Sequence, residues 1–289
     1  MINVRGDMRS TLLALLLASG TMSAQDSIPV NNRVSGILGR MENRQLPERE
    51  AALQDLCRLA NNDQGQKQGL DCPAALSGFF RRHPDQAEGT TVALIKLLST
   101  ENGIFMDENT APGTYNERDS EHYAGLIDIV ASLNDDRSVP ALAGAIATGG
   151  LAEQGLLKYG QKALEPLLDQ FLNSSDPMIR SESLATAVTL LLRENDPASH
   201  GKISELIQAG LQDKEFLLRM AAIQAIERLD DGGSSFVSEL RDLSEHDPVR
   251  IQGQGTDGGD DYPVRREAKR ALQKITKQGQ PHGTPATRH

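Results

Sequence analysis

The histidines are the side chains of this sequence best suited to metal binding or acid–base catalysis, but their spacing argues against both. There are six of them: His83, His122, His200, His246, His282 and His289. No two are four residues apart, the spacing that places two metal ligands on one helix face. The dipeptides Glu121-His122 and Glu245-His246 are isolated copies and do not form a ligand set. Because a Gly-x-Ser-x-Gly turn and a phosphate-binding loop are also missing, we expect no catalytic residue, metal or cofactor.

The first 24 residues have the pattern of an export signal. Arg5 and Arg9 give a basic start, residues 11–18 form an apolar run, and Ala24 is a small residue that signal peptidase accepts. The run is far shorter than the roughly 20 residues that span a bilayer. We expect cleavage after Ala24, or alternatively after Gly20, and no lipid anchor, because no cysteine follows the run. The mature chain is then expected in the periplasm or outside the cell, without an integral membrane segment.

Cys57 and Cys72 are the only cysteines, and an even pair in an exported chain is the expected number for one disulfide. Each lies on an apolar helical stripe, so the two can face each other across a short helical hairpin. Closing this loop would stabilise the fold by about 3 kcal/mol, because it restricts the unfolded chain. We predict a structural disulfide. Two buried free thiols and a redox-active pair are the alternatives, and the Cys-x-x-Cys spacing typical of the latter is absent.

Apolar residues recur with the period of an α-helix along most of the chain. Leu164, Leu167, Leu168, Phe171 and Leu172 fall at i, i+3, i+4, i+7 and i+8, and are therefore expected to share one buried face. No stretch of comparable length alternates with period two, so we expect an all-α fold. The predicted helices are 31–42, 49–61, 72–82, 88–99 and 119–134, followed by the pairs 137–147 with 151–158, 162–173 with 177–194, 201–212 with 214–229, and 233–246 with 262–276.

A helical unit recurs through residues 137–276, and its second helix opens with an acidic residue and then an arginine. The copies are Asp176 to Arg180, Asp247 to Arg250, Asp261 to Arg265, and a looser one from Asp213 to Arg219. An Asp at this place accepts hydrogen bonds from free amides of the first helical turn, and a following Pro fits the first helical position. The arginine one turn later can reach an acidic residue of the adjacent repeat. These residues are therefore predicted to cap helices and to form a ladder along the stack.

The residues that open these helices resemble HEAT repeats, a family of armadillo-type α-solenoids, and in particular their short HEAT-like variety. Residues 139–142, residues 163–168 and the Asp-then-Val/Ile-Arg openings carry the resemblance, which covers residues 119–276. It implies a right-handed α-α superhelix, in which neighbouring helix pairs bury each other's apolar faces. Most proteins of this superfamily are scaffolds and adaptors, so the resemblance implies a protein-binding surface without naming a partner.

Two insertions interrupt the array, and inserted loops on a solenoid often carry the binding role. The first, residues 102–115, contains Phe105, Met106 and Tyr115 among acidic groups. A loop that needed only to be soluble would seldom hold three such side chains, so these residues are a candidate partner surface. The alternative is a loop that folds back and packs on its own helices.

The second insertion, residues 253–261, places Asp257, Asp260 and Asp261 among glycines. Such carboxylates can wrap Ca²⁺, but their spacing is not that of a calcium-binding helix-loop-helix, and a flexible solvated loop is expected. The insertion separates two copies of Pro-Val-Arg. We expect the second copy, at 263–265, to start the last helix, because it leads directly into an apolar stripe.

The composition and net charge of the chain limit the residues that can form its core and the class of partner that it can bind. Aromatic residues make up 3% of the chain and Trp is absent, so the core must consist of Leu, Ala, Ile and Val. The formal net charge of -10 disfavours nucleic acid, whose binding depends on Lys and Arg displacing counterions. The expected regions are a signal peptide at 1–24, irregular N-terminal helical repeats with one disulfide at 25–118, HEAT-like repeats at 119–276 and a disordered tail at 277–289.

The expected function is non-enzymatic: a scaffold or adaptor outside the cytoplasm that holds a protein or peptide. An accessory enzyme of the lyase or isomerase kind, with a small molecule between repeats, is the alternative from another class. A purely structural envelope component is a third possibility.

Overall fold

A computed structural model describes residues 29–63, 71–105, 117–148, 150–194, 196–229, 231–253 and 259–278. Within these ranges the chain forms thirteen α-helices, several of them joined by short 3-10 turns. The helices are α1 (Val30–Met41), α2 (Leu46–Asp63), α3 (Cys72–Arg82), α4 (Pro84–Phe105), α5 (Glu117–Ser132), α6 (Val139–Gly144), α7 (Gly150–Tyr159), α8 (Leu164–Asn173), α9 (Pro177–Glu194), α10 (Pro197–Leu211), α11 (Phe216–Glu227), α12 (Val237–His246) and α13 (Pro263–Gln278).

The helices pair, and neighbouring pairs stack in two layers. In the layer of first helices, α1 packs on α4, α4 on α6 and α6 on α8. In the layer of second helices, α5, α7, α9, α11 and α13 pack on one another in chain order. The pairs are α1/α2, α4/α5, α6/α7, α8/α9, α10/α11 and α12/α13. Because each pair buries its apolar face against the next, the described chain is an all-α solenoid of the HEAT and armadillo type, as predicted.

Helix α3 is an addition to this array. It packs on α2, α4 and α5, beside the first two pairs of the stack. A disulfide joins Cys57 of α2 to Cys72, the first residue of α3, with their Cα atoms 5.1 Å apart. The predicted bond is therefore present, and it fixes the extra helix to the second helix of the first pair.

The core consists mainly of the Leu, Ala, Ile and Val side chains that the sequence indicates, but it also contains the aromatic side chains of Phe79, Tyr123, Phe171 and Phe236, and one residue of an expected stripe is exposed. Leu164, Leu167 and Phe171 of α8 are buried, but Leu172 is 67% exposed, so the prediction that it belongs to the buried face is wrong. Eight residues along a helix turn the side chain by about 80° from the starting direction, which carries Leu172 to the margin of the stripe.

Three helices are clearly longer than the apolar stripes alone predict, and one of them is α2, which runs from Leu46 to Asp63 where 49–61 was expected. α4 runs from Pro84 to Phe105, beyond the expected 88–99 at both ends. α10 begins at Pro197 rather than at 201, because the Asp196 side chain accepts a hydrogen bond from Ala198 N at 3.0 Å and caps the helix there. Asp followed by Pro is the same start signal that opens α9.

The prediction that Asp247 to Arg250 opens a second helix is wrong. After Asp247 the chain enters a turn closed by paired backbone hydrogen bonds between Ile251 and Asp261, both 2.8 Å. Helix α13 begins at Pro263, so the second Pro-Val-Arg copy opens the last helix, as expected. The helix begins at this copy because an apolar stripe follows it, and only that segment can bury a face against α11 and α12.

Candidate functional site

Arginines near the start of second helices link neighbouring repeats. Arg180 of α9 donates from Nη2 to Asp213 Oδ2 at 2.5 Å. Arg219 of α11 donates to Asp247, with Nε–Oδ2 at 2.7 Å and Nη2–Oδ1 at 3.3 Å. Arg265 of α13 continues the series through a hydrogen bond from Nε to the Asp247 carbonyl oxygen at 2.7 Å. The predicted ladder is confirmed for Arg180 and Arg219, whereas Arg265 contacts a backbone carbonyl oxygen and not an acidic side chain.

A further arginine of this kind lies in the first helix pair. Arg49 of α2, whose side chain is 2% exposed, donates from Nε and Nη2 to Glu101 of α4 at 2.6 and 3.2 Å. Its Nη1 donates to the carbonyl oxygens of Asn43 and Arg44 at 3.0 and 2.8 Å. The guanidinium is thus fully bonded inside the protein, which is the condition for burying such a charge.

The sequence reasoning misses Arg49, although the sequence contains its signal. Arg219 donates from Nη1 to the carbonyl oxygens of Asp213 and Lys214, six and five residues before it. Asn43 stands six residues before Arg49 in the same way, and its side chain accepts a hydrogen bond from Gln45 N as a helix cap does. The common spacing identifies α2 as a second helix of the repeat.

His122 of α5 approaches the same carboxylate oxygen of Glu101 as Arg49 does. Its Nε2 is 3.6 Å from Glu101 Oε1, its side chain is 4% exposed, and Nε2 has no hydrogen-bond partner among the described residues. Burial raises the pKa of Glu101, but the adjacent His122 and Arg49 lower it by more, so the pKa is below its ordinary value. Glu101 is therefore ionised near neutral pH, between a cation and a buried imidazole.

An open groove of about 530 Å³ lies beside these groups, between α2, α3 and α5. Leu53 and Ile129 provide apolar wall, together with the disulfide, and His122 also lines the groove. The carboxylates of Glu121 and Asp128 line it from exposed positions two turns apart on α5. The volume is within the range of pockets that hold ligands, about 300–1,000 Å³, so this is the candidate site.

The charge of the groove is negative. Glu50 of α2 and Asp71, which caps α3 by accepting from Ala74 N at 3.0 Å, add two more carboxylates to its lining. Arg58 is the one Arg or Lys among the described lining residues, and it donates to Asp55 of its own helix at 2.9 Å. Its charge is therefore already partly compensated, and the rim stays acidic.

The predicted partner residues are not brought to this groove by any described contact. Phe105 is the last residue of α4, while Met106 and Tyr115 lie outside the described residues. The surface expected at 102–115 therefore stays a prediction.

The aspartates of the second insertion have structural partners where they are described. Asp260 forms an ion pair with Arg250 at 3.2 Å, and Asp261 forms one with Arg266. Asp257 lies outside the described residues, as does the tail from 279 onward. Both described carboxylates of this loop are thus engaged by arginines.

The described ranges contain no group of three or more His, Cys, Asp or Glu side chains that could hold a metal ion. They also contain no helix that is both long and apolar enough to cross a membrane. His83 contacts Asp63 at 3.1 Å and His246 contacts Asp242 at 2.9 Å. His122 differs from both, because it is buried and its Nε2 lies 3.6 Å from the carboxylate of Glu101, beyond hydrogen-bond distance.

No protein-family model and no curated protein matches the sequence. Among solved structures, an engineered protein is similar at a TM-score of 0.38, with 16% identity over 84% of this chain and 98% of that one. A designed armadillo repeat protein is similar at a TM-score of 0.35, with 15% identity over 84% of this chain and 99% of that one. These similarities carry no argument about function, and the architecture stated above rests on this chain's own helix pairs and arginine ladder.

Proposed function

We propose that this protein is an exported, non-enzymatic scaffold that holds a protein or peptide in the groove between α2, α3 and α5. The observation that carries the proposal is the groove itself, which combines apolar wall, exposed carboxylates and a buried imidazole in about 530 Å³. The ladder arginines Arg180 and Arg219 and the aspartates they bind are occupied by contacts of the stack. The groove is where the regular repeat is interrupted, since α3 is inserted there and bonded to α2.

Export is the second part of the proposal. The basic start and apolar run of residues 1–24 support it, and so does the disulfide between Cys57 and Cys72, since such bonds persist in oxidising compartments. We retain the division into a signal peptide, N-terminal repeats at 25–118, HEAT-like repeats at 119–276 and a tail. The segment 102–115 is proposed as a second partner contact, because its described end at Phe105 and the start of α5 at Glu117 adjoin the elements around the groove.

A small-molecule role is the second candidate. The buried His122 Nε2 without a hydrogen-bond partner favours it, since a polar group of this kind inside a ligand-sized groove can serve recognition or proton transfer. This alternative predicts an accessory enzyme of the lyase or isomerase type. It requires a compact ligand that reaches His122, whereas the scaffold requires an extended one that crosses the groove.

Site-specific photo-crosslinking in cells of the native organism tests the scaffold. A Cβ at Gly125 would meet no atom within 4 Å, so p-benzoylphenylalanine at position 125 points a reactive group into the groove without displacing neighbours. Gly201 of α10 is equally open and exposed, which makes position 201 the matched control. We expect one defined crosslinked protein from position 125 and none from 201. Identical products from both positions, or none from either, would remove the groove as a partner site.

A further inference from the structure

We infer that the groove between α2, α3 and α5 selects a cationic peptide segment, with two Lys or Arg side chains about three residues apart in an extended chain. This inference rests on the proposed scaffold function and names the chemistry of its partner. It begins from Glu121 and Asp128, which line the groove from exposed positions on α5. Neither carboxylate has an ion pair or hydrogen bond with a described residue, so both are available to a ligand.

The spacing of these two carboxylates sets the spacing of the ligand's charges. Seven residues along α5 correspond to about 10 Å, at 1.5 Å per residue. A peptide in the polyproline II conformation rises about 3.1 Å per residue with three residues per turn, so its side chains at i and i+3 point to the same side about 9 Å apart, whereas those of a β-strand would point to opposite sides. A peptide of the form Lys-x-x-Lys can therefore place one ammonium group near each carboxylate. Gly125 lies between them and adds no side chain, which leaves room for the peptide backbone.

The apolar lining suits the same ligand. Leu53 and Ile129 line the groove next to the disulfide. The aliphatic stems of Lys and Arg pack on surfaces of this kind while their charged heads reach outward to a carboxylate. An acidic segment would instead bring its charges against Glu50, Asp71, Glu121 and Asp128, and would be repelled.

His122 is an independent indication that something binds here. It lines the groove, its side chain is 4% exposed, and its Nε2 is buried without a hydrogen-bond partner. Buried polar atoms are ordinarily hydrogen-bonded, and leaving one unmet costs about 1–3 kcal/mol. Because this Nε2 faces the ionised Glu101 at 3.6 Å, it is the donor nitrogen of the ring, and the group of a bound peptide that can serve as its partner is a backbone carbonyl oxygen.

The test is a titration with capped, fluorescein-labelled hexapeptides, followed by fluorescence anisotropy at low and at physiological salt. The probe is Ala-Lys-Ala-Leu-Lys-Ala. One control peptide, the Glu twin, has Glu in place of both lysines, and a second control peptide has the two lysines next to each other. The groove variant Glu121→Gln with Asp128→Asn is compared with Glu165→Gln and Asp169→Asn, two exposed carboxylates of α8. Both double variants change the net charge equally, so only the local field of the groove distinguishes them.

We expect the Lys-x-x-Lys probe to bind and the Glu twin not to bind. The groove variant should weaken binding about tenfold, the sum of two partly exposed charge contacts, and the α8 variant by less than about twofold. Equal affinity for the Lys and Glu probes would overturn the inference, yet leave the scaffold proposal intact. Equal weakening by both variants would overturn it as well, because attraction would then come from the whole acidic chain. No binding of the Lys probe would also overturn it, whereas the crosslink at position 125 judges the scaffold role separately.

Discussion

Arg49 near the start of the stack and Arg219 near its end make nearly the same contacts in different surroundings. Each donates twice to a carboxylate of a neighbouring helix pair, at 2.6 and 3.2 Å for Arg49 and at 2.7 and 3.3 Å for Arg219. Each also donates from Nη1 to the carbonyl oxygens six and five residues earlier. The two carboxylates differ in their other neighbour: Asp247 accepts a hydrogen bond from the Val249 amide, while Glu101 lies 3.6 Å from His122, which lines the groove.

This difference distinguishes the contacts that every repeat needs from the features that are found only near Arg49. The contacts shared by Arg49 and Arg219 are those that hold one helix pair against the next. The imidazole, the inserted α3 and the disulfide occur only at the first of the two positions among the described residues. A function specific to this protein is therefore expected at the Arg49 end, and a purely structural role at the Arg219 end.

The largest effect is expected from Arg219→Met and Arg49→Met. Each variant leaves a buried carboxylate and two carbonyl oxygens without their donor, which should lower the free energy of unfolding by about 3–5 kcal/mol. Urea denaturation followed by far-ultraviolet circular dichroism measures this loss. If both arginines serve the repeat, the two losses are similar.

Arg137→Met is the matched control for these variants. Arg137 pairs with Glu88 and Asp135 but is half exposed, so its removal should lower the free energy of unfolding far less than the removal of Arg219 does. A loss at Arg219 as small as the loss at Arg137 would contradict the view that the ladder stabilises the stack.

The next largest effect is expected from Cys57→Ser with Cys72→Ser. The bond closes a loop between residues 15 apart, and its loss should lower the free energy of unfolding by about 3 kcal/mol. Because repeats contact only their neighbours, hydrogen exchange should accelerate in α2 and α3 and stay unchanged in α9 to α13. Faster exchange along the whole stack would show that α3 supports more than the Arg49 end.

Glu101→Gln tests the ionised carboxylate at the Arg49 end. Since the folded state lowers the pKa of Glu101, its ionised form stabilises the protein at neutral pH, and this stabilisation disappears as the pH falls from about 5 through the lowered pKa. The variant should be less stable by about 2 kcal/mol at pH 7, the value of a hydrogen bond to a charged group. The stabilities of wild type and variant should converge once the pH lies below the lowered pKa. Stability curves that stay parallel throughout an acid titration would contradict the assignment.

The regular part of the molecule could be predicted from the sequence because its signals are local. The apolar stripes and the step from Asp to Arg lie within one helix or its cap, and they predict α8 to α11 and the ladder through Arg180. The segment after Asp247 shows where prediction from local signals fails. Its Pro-Val-Arg matches the pattern of a helix start, but no helix forms, because the residues after Arg250 cannot bury an apolar face. The groove could not be predicted, since Arg49, Glu101 and His122 belong to α2, α4 and α5 and meet only when those helices stack.

The smallest change in the free energy of unfolding is expected from substitutions of the capping aspartates. These substitutions distinguish aspartates that only cap a helix from those that also bind a ladder arginine. Asp176 accepts from Met178 N at 2.7 Å, and Asp176→Ala should lower the free energy of unfolding by about 1 kcal/mol, the usual value of an N-cap. Asp176→Asn keeps an acceptor for that amide and should be close to wild type. Asp247→Asn also keeps its cap acceptor but removes the charge that Arg219 binds, so its loss should be larger, about 2 kcal/mol. Thermal and urea unfolding of the three variants measure these differences, and equal losses for the two Asn variants would mean that the charge of Asp247 contributes nothing beyond its cap.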